Sequence, residues 1–101
     1  MAKFMIRVEL HPDASAKPQS YDKLNAAMAK QGFGRELPGK KASYLLPVGT
    51  YWYQGQRTTN ALRRSAAVAA ESTGSGFGIA VVRANGWSVM RLDRVQASPQ
   101  A

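Results

Sequence analysis

Apolar and polar residues alternate one for one across positions 3 to 10, KFMIRVEL: Phe4, Ile6, Val8 and Leu10 fall on one side, Met5, Arg7 and Glu9 on the other. A period of two marks a strand with one buried and one wetter face, so the Phe4 side is expected in the core. HPDASAKPQ follows, and its two prolines and small polar residues read as a loop. The period then lengthens. Tyr21, Leu24, Ala27, Met28 and Gln31 recur at spacings of three and four, which predicts a helix from Tyr21 to about Gln31. Ser20 is placed to cap its start and Gly32 to stop it.

FGREL and ASYLLPV are two short strand candidates on either side of PGKK, where Pro-Gly shapes a turn and Lys40 and Lys41 make its tip basic. GTYWYQGQ has strand-forming aromatics but is bracketed by Gly49 and Gly55, and reads as an extended connection or a short strand extension. Thr58 or Thr59 is expected to cap a second helix running to about Thr73 and ending at Gly74, with Leu62, Ala66, Ala69 (or Ala70) and Thr73 facing the core. A face built so largely of alanine suits a helix that lies close against a sheet. In GFGIAVVRANGWSVMRL, Asn85-Gly86 is the strongest short hairpin signal, a type I′ turn joining residues 77 to 84 with 87 to 92.

The order β-α-β-β-α-β-β is that of an α+β, ferredoxin-like (split βαβ) domain with one additional C-terminal strand, two helices covering one face of an antiparallel sheet. The expected division is a single domain over residues 1–92 and a flexible tail over 93–101. The helix-free face is left to solvent, to a ligand or to a second copy, and a homodimer through residues 77 to 92 is expected because the last hairpin leaves a strand edge.

Charge changes this picture. Fourteen Lys and Arg against six Asp and Glu give +8 and a pI near 10.3, a balance that suits a polyanion such as RNA or DNA and, less often, an acidic protein or membrane surface. The plain alternative is a basic protein with no polyanion partner. Cysteine is absent, so disulfides, thiolate nucleophiles and cysteine zinc sites are excluded. Arg7 and Glu9 interrupt the first apolar run before it reaches signal-peptide length, and no stretch approaches a membrane span. A cytoplasmic location, no membrane, no metal and no small-molecule cofactor are the expectations.

Candidate chemistry is sparse. GSGFG at 74 to 78 opens a strand instead of a helix, so the phosphate-cradle reading fails. Its Gly76-Phe77-Gly78 also echoes an RNA-recognition signature, but Ile79 and Val82 stand where aromatics belong, and the segment follows the second helix instead of preceding it. Glu9, His11 and Asp13 recur at every second residue and, if extended, share a face where a cation or a ribose hydroxyl could be met. The competing reading makes His11 and Asp13 loop residues beside Pro12, with Glu9 paired across the sheet. YWYQGQRTTNALRR offers Trp52 or its tyrosine neighbours for base stacking, Arg57, Arg63 and Arg64 for phosphate, and Thr58 with the donors of a helix N-terminus. Alternation separates Tyr51 and Tyr53 from Trp52, so at least one ring is expected in the core.

At FMIRVELH, YLLPVGTYWYQGQRT and GFGIAVV the chain resembles a family of small bacterial proteins grouped with the GhoS-type antitoxins of type V toxin–antitoxin systems. The shared pattern runs from Ile6 through His11 and includes Tyr44, Leu46, Pro47, Tyr51, Tyr53, Gly55 and Thr58. The resemblance covers most of residues 3 to 92 and implies a ferredoxin-like fold and endoribonuclease cleavage of a toxin's messenger RNA. It assigns no catalytic residue to this chain. Two functions stand: an RNA-binding protein with endoribonuclease activity of this type, and a non-enzymatic module that binds a protein through its sheet face or edge.

Overall fold

The computed structural model describes residues 2–11, 19–39, 42–88 and 92–95. β1 (Ala2–His11) is the central strand of a three-stranded antiparallel sheet. β4 (Thr50–Gly55) pairs on one side of it and β5 (Gly76–Ala84) on the other. The alternation of β1 is realised as expected: Phe4, Ile6, Val8 and Leu10 are buried, while Arg7 and Glu9 are exposed. α1 (Gln19–Lys30) and α2 (Thr59–Glu71) cover the Phe4 face. Leu24 and Met28 from α1 and Leu62, Ala66, Ala69 and Ala70 from α2 close the main core over Tyr51 and Phe33. The fold is α+β, with both helices on one side of the sheet.

Local signals explain the helix ends. α1 begins at Gln19, so Ser20 lies within the helix and is not its cap. At its other end the Phe33 amide donates to Met28 and the Gly32 amide to Ala29, with Gly32 at φ 90°. That pair of bonds satisfies two of the carbonyls a helix end leaves open, and it brings Phe33 back against Met28. Thr58 caps α2, its hydroxyl accepting from the Ala61 amide at 3.0 Å.

Three expectations are corrected. GTYWYQGQ, read as an extended connection or a short strand extension, is a full strand of the main sheet: Thr50–Gly55 is β4, in register with Arg7 back to Ala2. Its aromatics are packed on both faces, Tyr51 under the helices and Trp52 on the opposite side, so the segment has more apolar surface to hide than a connecting loop could. The strand candidates on either side of the Pro-Gly turn, by contrast, leave the main sheet. β2 (Glu36–Pro38) and β3 (Ser43–Leu45) pair with each other as a two-stranded sheet separate from the main one. Leu37 and the neighbouring Leu46 pack on Trp52, with Met5 and Ala84 beside them. The helix-free face is therefore open over only half its length.

The third correction concerns the C-terminus. Among the described residues, nothing after Asn85 pairs back on β5. A type I′ turn needs positive φ at both central positions, and Gly86 is not among the glycines with positive φ. The chain instead crosses to the Trp52 side, where Trp87 packs against Trp52, and then runs beside β3. Leu45 donates to the Asp93 carbonyl and Val95 to the Ser43 carbonyl, each at 2.8 Å. The extra C-terminal strand thus becomes a short addition to the β2–β3 sheet through the Tyr44–Arg94 bridge. Residues 93–95 of the expected tail are paired in this way, and 96–101 lie outside the described residues.

Candidate nucleic-acid interface

The aromatic–arginine stretch at 51 to 64 resolves into structural parts and a free remainder. Tyr51 is fully buried, and its hydroxyl donates to Asn25 of α1. Burial disfavours the phenolate, with Arg35 nearby opposing and Tyr21 adding to the effect, and pushes the Tyr51 pKa up to about 12. Tyr53 meets Phe33 edge to face at 5.7 Å and Phe4 at 6.2 Å. Trp52 is 6% exposed, so its ring is not open to a base as the sequence pattern suggested. All three rings serve the fold.

Arg57 is drawn into the same framework. Its guanidinium donates to the Ser65 hydroxyl at 2.7 Å and the Ala61 carbonyl at 3.3 Å, and lies 6.0 Å from the Tyr53 ring centre. The residue is half-buried and ties the approach of α2 to its second turn. Thr58 spends its hydroxyl on the cap. Arg63 and Arg64 are fully on the surface, off the Leu62–Ala66 stripe. Lys40 and Lys41, at the tip between β2 and β3, lie outside the described residues, as does Asp13.

The second candidate cluster is on the open half of the helix-free face. Glu9 and His11 share that face at the end of β1, with Glu9 Oε1 3.8 Å from His11 Nε2. The imidazole lies over Gly76 and Gly78 of β5, close enough that a Cβ on Gly78 would stand 3.5 Å from its Nε2 and one on Gly76 3.8 Å from its Nδ1. Arg7 is the third member of this row. Its guanidinium donates to the Val48 carbonyl at 3.0 Å and the Thr50 hydroxyl at 3.2 Å. Arg7, Glu9, Gly78, Ile79 and Ala80 line a shallow depression of about 260 Å³.

Arg7 was not singled out from the sequence, although the alternation that joined Glu9 to His11 extends to it unchanged. What the sequence did not hold was the floor: β5 presents Gly76, Gly78 and Ala80 beneath the three long side chains only because of its register with β1. Chemically the row combines a fixed cation, a carboxylate and an imidazole that can carry a proton. Among the described residues no group of three or more His, Cys, Asp or Glu could hold a metal ion.

Electrostatics separate this chain from one whose charges cancel internally. Among the described residues the Glu9–His11 contact is the one pairing of an acid with a base within 4 Å, and no Lys or Arg reaches a carboxylate. Arg7, Lys23, Lys30, Arg63, Arg64, Arg83 and Arg94 are exposed, a surface that favours an anionic partner. Compared with known protein families, with curated proteins and with solved structures, the chain has no match in any of the three.

Proposed function

We propose that this chain is an RNA-binding protein, with the open half of its sheet face as the site where a phosphodiester is engaged. The observation that carries the reading is the charge: +8 overall, with no described Lys or Arg paired to a described carboxylate. Cations left unpaired on a small domain attract a polyanion and release its counterions. Arg63 and Arg64 supply phosphate contacts along α2, and Arg7, held by Val48 and Thr50, supplies one beside Glu9 and His11.

The same row supports an endoribonuclease reading. His11, with Glu9 beside it, takes the proton of a ribose 2′-hydroxyl; the 2′-oxygen bonds to phosphorus, and the bond to the 5′-oxygen breaks. Arg7 stabilises the charge that builds on the phosphoryl oxygens. The leaving 5′-oxygen takes a proton from water, and the products are a 2′,3′-cyclic phosphate and a 5′-hydroxyl. The resemblance to GhoS-type antitoxins narrows the proposed substrate to a toxin's messenger RNA. We read the fold as ferredoxin-like on related grounds: Gly34 and Trp52 exchange two backbone bonds at 3.1 and 2.8 Å, which brings the entry to β2 alongside β4 in the order such a sheet requires.

Binding of a labelled single-stranded RNA, measured at increasing salt, tests the first claim: affinity should fall steeply and linearly on a log–log plot. Absence of binding at low salt would sink it and leave the protein-interaction reading. For cleavage, the ends of the fragments should carry the cyclic phosphate, and His11→Ala should abolish cutting while leaving binding within a few-fold. Cutting that persists in His11→Ala would remove the imidazole from the mechanism.

A further inference from the structure

The two edges of the main sheet are treated differently. Beyond β4 the chain supplies cover: Gly34 bridges to Trp52, and the β2–β3 sheet packs against that side. Beyond β5 no described strand follows, since the sheet order ends β4-β1-β5. β5 has few of the usual protections of an exposed edge, Arg83 near its end being its one charge. It runs nine residues, GFGIAVVRA, contains no proline and no lysine, and keeps an unbroken register with β1 from His11–Gly76 to Lys3–Ala84. Edges of this kind recruit another strand unless a charge, a proline or a bulge prevents it.

The side chains of β5 are likewise incompletely covered. Phe77, Ile79 and Val81 pack against the main core yet remain only half-buried, and on the other face Val82 is 58% exposed. A strand laid along β5 would extend both faces of the sheet at once and shelter these residues.

We propose that the occupant is a second copy of this chain, its β5 antiparallel to the first about a two-fold axis at Ala80. β5 is self-complementary in that register. Ala80 is its middle residue, so all nine positions find a partner: Gly76 meets Ala84, Gly78 meets Val82, Ile79 meets Val81, and Phe77 meets Arg83. On the open side Gly78 faces Val82 while Gly76–Ala84 and Ala80–Ala80 pair small residues, and on the helix side the β-branched Ile79 and Val81 face each other, where cross-strand packing is favourable. Arg83 is the one charge in β5. The two-fold sends the two copies of it to opposite ends of the pair, about 20 Å apart at ~3.4 Å per residue, so the pairing sets no like charges against each other. A six-stranded sheet results, with all four helices on one side.

Arg7 is level with Ala80 in the register of β1 and β5. In the dimer the row across the open face therefore reads Arg7, Ala80, Ala80 of the second copy, Arg7 of the second copy. Three strand spacings separate the two guanidinium-bearing positions, about 14 Å, across a floor of Gly78 and Ala80. The pairing itself does not depend on RNA.

The chain has no cysteine, so Ala80→Cys introduces a single thiol, and because Ala80 is exposed the change leaves the core untouched. Full-length protein stripped of RNA at high salt is expected to sediment at twice its 11.0 kDa chain mass. Mild oxidation of Ala80→Cys should then link the two copies, since directly opposed positions bring the Cβ atoms to ~4.5–5.5 Å. Ala80→Lys and Ala80→Glu should each halve the mass with an unchanged circular dichroism spectrum, and mixing the two should restore it. A wild-type chain that stays at one chain mass at high micromolar concentration overturns the proposal and leaves the β5 edge to a strand of another protein. A dimer that survives Ala80→Lys and gives no cross-link overturns it equally, by moving the contact elsewhere.

Discussion

The indoles of Trp52 and Trp87 meet edge to face, ring centres 4.9 Å apart and planes at 67°. Trp52 comes from the middle of β4 and Trp87 from the segment that leaves β5, so the contact turns the chain across the sheet and away from a hairpin. Lys3 adds its ammonium 5.3 Å from the Trp87 ring centre. Trp87→Ala should lower stability by about 1–3 kcal/mol, less than a fully buried aromatic costs, because the ring is 40% exposed. Thermal melts check the magnitude. Increased hydrogen exchange at Leu45 and Val95, whose amides hold the C-terminal segment to β3, checks that this contact anchors it.

Glycine substitutions distinguish the observed chain path from the hairpin. Gly49 sits at φ 84°, and a Cβ there would lie 2.6 Å from the Val8 carbonyl oxygen, which itself belongs to the central strand. Gly49→Ala should cost more than about 1 kcal/mol. Gly86 has no positive φ and nothing within 4 Å of an added Cβ. Gly86→Ala should therefore be neutral or stabilise by up to ~1 kcal/mol. A destabilisation at Gly86 would mean that a left-handed turn forms there after all.

The arginines should divide by role. Arg57→Ala breaks the bonds to Ser65 and Ala61 and the contact with Tyr53, and should lower stability by about 1–3 kcal/mol. Lysine at the same position should recover little of this, since one ammonium cannot span the partners of a guanidinium fork. Arg63→Ala with Arg64→Ala should leave the melting temperature nearly unchanged, within ~0.5 kcal/mol. The slope of log RNA affinity against log salt should shrink by about 0.7 for each phosphate contact removed. An unchanged slope would assign both arginines to a merely solvated helix face.

Tyr51 gives the fold an alkaline limit. Its pKa rises from 10.0 in the unfolded chain to about 12 in the folded one, so the folded state favours the neutral phenol. The associated stability is complete below pH 10 and is lost as the pH climbs towards 12, at most about 2–3 kcal/mol in all. Tyr51→Phe should remove that part of the pH dependence, and the difference in tyrosinate absorbance between the two proteins should show a late-titrating phenol. If the absorbance difference has its midpoint at 10, the ring is wetter than its packing implies.

Within single segments, periodicity was enough to determine the buried side of β1 and the core faces of α1 and α2, and local signals marked the Gly32 end and placed the α2 cap at Thr58 or Thr59, of which the structure selects Thr58. Each of those depends on residues a few positions apart and on one requirement, that the apolar side be hidden. The same alternation put Glu9 and His11 on one face and extended to Arg7. Pairing between segments is a different quantity. TYWYQG and SYL are both credible strands, and what sent the first beside β1 was the need to bury Tyr51 under α1 and Trp52 under Leu37 and Leu46 together, a condition involving residues far apart in the chain. The Asn85-Gly86 signal gave way for the same reason, to the edge-to-face contact of Trp87 with Trp52, a pairing worth about 0.5–1.5 kcal/mol beyond the area it covers. For Arg57 a sequence records the charge but not the Ser65 hydroxyl and Tyr53 ring that engage it. The side-chain period is local; the partner on the next strand, and whether a charged group is already engaged, are decided only when distant residues compete for the same space.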